Sequence, residues 1–207
     1  MILLPSIYLP NIEYFAILTN NNSVTLDIHE TYPKQTYRNR SSIMTANGIL
    51  DLSIPVNKKK GNHSKITDIY IDNSEPWYKK HWRAIESAYN SSPYFMYYET
   101  ELKPFFQEGC NIPLFHFNTR LTKLLCDLCQ IHCKLEFSAR FYTNTDSGVI
   151  HYRDTFSPKN EKAVILPPYH QVFNNKFPFT SNLSIIDLLF NLGPETTKYL
   201  QNISIKA

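Results

Sequence analysis

The chain has 207 residues, 43% of them hydrophobic and 19% charged, which is the balance of a folded chain with a full core and excludes a disordered one. A formal net charge of +3, dispersed along the sequence, is too small for a nucleic-acid footprint. The 5 glycines are all isolated, so neither a glycine-rich phosphate loop nor a Gly-x-Ser-x-Gly nucleophile elbow can be written anywhere.

Met1 to Pro5 has no cationic lead and no long apolar core, so it does not read as a signal peptide. No run approaches the roughly 18 apolar residues of a membrane span, and a soluble, cytoplasmic protein is expected. Residues 2–4 read as a short apolar strand, 12–18 as a helix, and Val24 to Ile28 as an alternating strand. This β-α-β order implies a parallel pair. Leu50 to Val56 alternates like a strand, Lys58-Lys59-Lys60 and Gly61-Asn62 read as a hairpin turn, and 66–71 as another strand. Helices are expected over 76–90, with Ser74 as cap, over about 93–106, and from Asn118 or Thr119 to about Cys133. Lys134 to Tyr142 has strand character, 143–180 is irregular and Pro-punctuated, and Ser184 to Phe190 is a helix stopped by Gly193-Pro194. The expected fold is α/β: a largely parallel sheet with helices packed on it, plus an irregular C-terminal excursion. One domain should span 1–207, with 143–180 as the irregular segment and 181–207 helical.

The run from His29 to Arg40 contains no aliphatic residue and none of the Gly, Ser or Asp of an ordinary loop. It follows directly on a strand, and ligands of open α/β sheets bind at the carboxyl ends of strands. His29 and Glu30 are the acid/base candidates, since imidazole titrates near neutrality. Arg38 and Arg40, two apart, share a face if extended and can clamp an anion, with Lys34 and Asn39 completing the pocket. Asp27, Gln35 and Tyr37 join the candidate binding set, as do His81 on the apolar stripe of its helix and Gln171 and Asn191 from the C-terminal segment, which are expected to close the concavity. A solvated loop with surface ion pairs is the bland alternative, a core histidine the one for His81. Asp187 reads as a carboxylate serving its own helix cap.

Cys126, Cys129 and Cys133 with His132 resemble a zinc spacing. Leucines share the segment at helical period, however, and three thiolates on one helix do not close a tetrahedral site. They are expected as core thiols, with no metal.

The segments Tyr8-Leu9-Pro10…Tyr14-Phe15, Asp27-Ile28-His29-Glu30…Lys34-Gln35-Thr36-Tyr37-Arg38-Asn39-Arg40, Leu52-Ser53-Ile54-Pro55-Val56, Trp77…His81-Trp82…Ser87-Ala88-Tyr89 and Gln171-Val172-Phe173…Asn182 to Glu195 occur in an order that resembles the WbqC-like protein family, in particular its Bacteroidetes-type branch. The resemblance implies a place in surface-polysaccharide and O-antigen synthesis, with acyl or aminoacyl transfer onto a sugar. Where many relatives carry a Gln-Pro turn near the start, some with a preceding His, this chain has Pro5-Ser6-Ile7, so His29 is left to supply any imidazole chemistry. The expected partner is an anionic small molecule, a nucleotide-sugar or an activated acyl donor; the cofactor and oligomeric state stay open. The absence of an Asp-x-Asp pair argues against a metal-dependent glycosyltransferase. A non-catalytic nucleotide-sugar-binding or assembly protein is the alternative to a transferase.

Overall fold

A computed structural model describes residues 1–33, 36–58, 61, 64–156 and 166–205. Strand β1 (Ile2–Pro5) is a continuous apolar run, as suits a strand with neighbours on both sides. Helix α1 (Ile12–Thr19) follows, capped by the Asn11 side chain, which accepts from the Tyr14 N–H; it is apolar on almost every face and buried. Strand β2 (Ser23–Asp27) then lies parallel to β1, with Leu4 opposite Leu26 and Pro5 opposite Asp27.

The next segment differs from the sequence expectation. Residues from the end of the polar run form strand β3 (Arg40–Thr45), paired antiparallel with β4 (Gly48–Ser53). The serines at its start mask a strand whose Ile43 and Met44 face the pairing partners Leu50 and Ile49. Gly48, at φ 103°, turns the hairpin where an L side chain is strained. The expected strand over 50–56 is cut at Ile54-Pro55, because proline has no N–H for the ladder. Its remainder is β5 (Val56–Lys58), antiparallel to β6 (Ile69–Ile71). These two strands flank the lysine-rich turn; Lys59, Lys60 and Asn62 lie outside the described residues.

Helix α2 (Trp77–Tyr89) packs on β3, where the Tyr89 hydroxyl accepts from the Met44 N–H, and its Trp82 ring lies against Phe95 and Phe106. Ser74 does not cap it; its N–H bonds to Asp72 instead. Helix α3 (Phe95–Leu102) continues into a 3-10 helix (Lys103–Phe106) and a loop that leads to α4 (Leu114–Leu128). This last helix starts right after Pro113 and stops before Cys133. The stop is a left-handed Gln130 (φ 55°), with Ile131 N–H bonding to the Cys126 carbonyl and Gln130 N–H to that of Asp127. Glycine is the usual residue there, so the sequence carried no stop signal.

Strand β7 (Lys134–Phe137) joins the far side of β2, and β8 (Ile150–His151) joins the free side of β1. The sheet is therefore four-stranded and all parallel, in the order β7-β2-β1-β8. The fold is α/β, as expected, but the irregular 143–180 segment contributes a strand to the sheet. Helix α5 (Ile185–Leu192) ends at Gly193, and α6 (Thr196–Gln201) follows it; both pack on α1.

Candidate functional site

The carboxyl ends of the parallel strands bring together what the sequence separates. Asp27, the last residue of β2, is fully buried. Arg153, two residues beyond β8, reaches across to it, with Nε at 2.9 Å and Nη2 at 2.5 Å from Asp27 Oδ2. Asp27 Oδ1 accepts from the His29 N–H at 2.9 Å and faces the Ser138 hydroxyl at 3.4 Å. Arg153 also donates to the Tyr142 carbonyl and lies 4.5 Å over the Phe141 ring, which is 48% exposed. The half-buried His29 places Nε2 at 3.1 Å from the Ser138 carbonyl, just past β7. One histidine, one carboxylate, one guanidinium and an accessible ring thus sit at the edge where such sheets take ligands.

Glu30 and Arg38 form a second ion pair, with 2% of each side chain exposed. Arg38 Nε donates to Glu30 Oε1 at 2.8 Å and Nη2 to Oε2 at 2.5 Å, the bidentate geometry of a guanidinium on a carboxylate. Nη2 donates further to the Arg153 carbonyl, and the Asn118 amide holds the Arg38 carbonyl. Burial raises the Glu30 carboxyl and Arg38 opposes it. The expected shared clamp of Arg38 and Arg40 is not what the fold builds: Arg38 is engaged internally, because Glu30 lies within its reach once the chain turns back on itself.

Arg40 stands apart, half-buried, in a small cleft lined also by Tyr8, Asn11, Tyr37, Asn182 and Ser184. Asn39 ties its amide to the Ile54 carbonyl. Lys34 and Gln35 lie outside the described residues.

The remaining candidates sit in the interior. His81 is 6% exposed, its Nδ1 lies 2.9 Å from the Tyr8 hydroxyl and the Ser53 backbone supplies another partner. Burial pulls its pKa down to about 4. Gln171 and Asn191 do not close the Arg40 cleft; they bond to Asp187, Gln171 at its Oδ2 and Asn191 at its backbone carbonyl. Asp187 does not cap its helix. Its buried carboxylate accepts from Tyr89, Tyr169 and Gln171, and burial raises its pKa. Cys126 and Cys129 are free and buried, and burial pushes the Cys126 thiol up to about 12.

Arg153 and Ser138 escaped the sequence reading. Arg153 sits in a segment without periodicity, and the only local signal was the Ile150-His151-Tyr152 stretch before it. Among the described residues, no helix is long and apolar enough to cross a membrane.

Comparison with known proteins adds family and relatives. A family model described as "WbqC-like protein family" matches residues 6–156 and 153–199. The "Uncharacterized protein Rv1507c" of Mycobacterium tuberculosis (strain ATCC 25618 / H37Rv) is 28% identical over 227 residues, covering 94% of this chain and 94% of that protein. No solved structure matches the chain.

Proposed function

We propose that this chain, which belongs to the WbqC-like protein family, transfers an acyl or aminoacyl group onto a sugar carried by a nucleotide or lipid, in the assembly of a surface polysaccharide. The setting of His29 carries this reading. Its Nε2 faces the Ser138 carbonyl, and a carbonyl oxygen only accepts, so the ring proton of the neutral imidazole belongs on Nε2 and Nδ1 keeps its lone pair. In this role His29 takes the proton of a sugar hydroxyl as that oxygen attacks the acyl carbon. The new oxygen–carbon bond replaces the bond from the acyl carbon to its carrier, and the proton returns to the departing carrier. Asp27 holds the His29 backbone and Arg153 at once, and the Phe141 ring offers a flat apolar face to a sugar or base.

Non-catalytic capture of a nucleotide-sugar is the second reading, favoured by Glu30 being engaged with Arg38, which leaves one acid/base group at the edge and not two. Incubation of the purified protein with nucleotide-sugars and either acyl-CoA or aminoacyl donors, followed by mass spectrometry, separates the two. Transfer predicts an acylated sugar, and His29→Gln lowering kcat by about 100-fold or more with KM little changed. Binding of the nucleotide-sugar without product from any donor, unaltered in His29→Gln, favours capture.

A further inference from the structure

We infer that the Arg40 cleft is a phosphoryl-binding site; that the phosphate belongs to the sugar's carrier rests on the transfer reading above. Arg40 is a half-buried cation, and its Nε is sealed from solvent without a hydrogen-bond partner. Among the described residues none forms an ion pair or hydrogen bond with its side chain, unlike Arg38 and Arg153, each of which grips a carboxylate. A buried donor left unmade is costly, and a guanidinium is built to meet an oxyanion.

The walls of the cleft reinforce the charge. Asn11 and Ser184, the residues preceding α1 and α5, pair with each other, and Ile12 N–H and Ile185 N–H bond across to Leu183 and Pro10. The amino ends of two eight-residue helices are thereby fastened side by side at the cleft. Each helix end carries roughly half a positive charge. The two dipoles and the Arg40 charge favour an anion there, with Glu13 and Asp187 in the first turns of the same helices. The acidic groups nearby are turned to other partners. Glu13 bonds with Asn182, Asp187 is enclosed by its tyrosines, and Asp51 accepts from the Ser42 hydroxyl. The Ser41 and Ser184 hydroxyls both donate to the Leu9 carbonyl and the Asn182 amide to Glu13, while Arg40 and the Asn11 amide are side-chain donors of the cleft. The cleft is small, so no more than the phosphoryl group enters it and the remainder of the substrate extends outward.

The test is calorimetric titration of the full chain with inorganic pyrophosphate, uridine diphosphate, farnesyl phosphate and acetate. Pyrophosphate should bind, Arg40→Gln should weaken it 10-fold or more, Arg40→Lys should fall between, and Arg120→Gln, which removes a charge elsewhere, should bind as the parent does. The tighter of uridine diphosphate and farnesyl phosphate identifies a nucleotide or a lipid carrier. In the unmodified protein the Arg40 Nε–H resonance should move as pyrophosphate is added, a readout that stands even if the variants do not fold. Acetate binding as tightly as pyrophosphate, equal affinity in Arg40→Gln and Arg120→Gln, or an unmoved Arg40 resonance overturns the inference. Binding is read without turnover, so a failed transfer assay with pyrophosphate bound at Arg40 refutes the transferase alone.

Discussion

Replacing Arg38 with Ala tests how the site is held. Arg38 and Glu30 are each 2% exposed on the side chain and joined by two hydrogen bonds, so the variant leaves a carboxylate buried without its counter-ion. Breaking a buried pair from one side costs about 3–5 kcal/mol. For a chain of this size each kcal/mol corresponds to about 2–4 °C, so the melting temperature should fall by roughly 6–20 °C. The pH dependence gives a sharper signature. In the variant Glu30 keeps its burial and loses the group that opposes the upward shift, so the native state binds a proton where the unfolded chain has released it. Stability then falls as pH rises from the ordinary carboxylate range through the raised native value, and the deficit against the parent is smaller at acidic pH than at neutral. Urea unfolding at several pH values measures both effects. The double variant Glu30→Met with Arg38→Met should recover much of the loss, because two apolar side chains leave no unpaired charge. A loss below about 1 kcal/mol for Arg38→Ala, with no change across pH, would refute the buried-pair argument.

His81 has a folded pKa near 4 against the ordinary 6.5, so the native state binds fewer protons between those values and stability should rise with pH across that window, by about 3 kcal/mol in the limit. Urea unfolding at pH 4.5 and pH 7 should show the slope in the parent and a shallower one in His81→Gln; equal slopes would place it elsewhere. Gly193 has φ 53°, and a Cβ there would meet the Tyr94 ring at 2.5 Å. Gly193→Ala should therefore destabilise by about 2 kcal/mol or more through left-handed strain and overlap, measured by urea unfolding, with partial recovery in the double variant carrying Tyr94→Ala.

The family resemblance and the first β-α-β unit were legible in the chain itself, because a buried parallel strand and a buried helix announce themselves as apolar runs of different length and period. So was the polar run after β2, since residues without aliphatic neighbours cannot all enter a core. What those polar residues do was decided by the tertiary structure. Arg38 reads the same as Arg40 in sequence, yet one lies against Glu30 and the other in a cleft without a carboxylate, because pairing depends on where the chain turns and not on spacing. Arg153 gains its role only when β8, two residues long, docks beside β1 and sets it opposite Asp27, 126 positions away in sequence. Short strands of this kind form through long-range pairing, so their local sequence need carry no periodic signal. Local patterning therefore determined the α/β class and pointed to the candidate site, while the partners of each charge were set by contacts distant along the chain, where a neighbour's electrostatics outweigh any local preference.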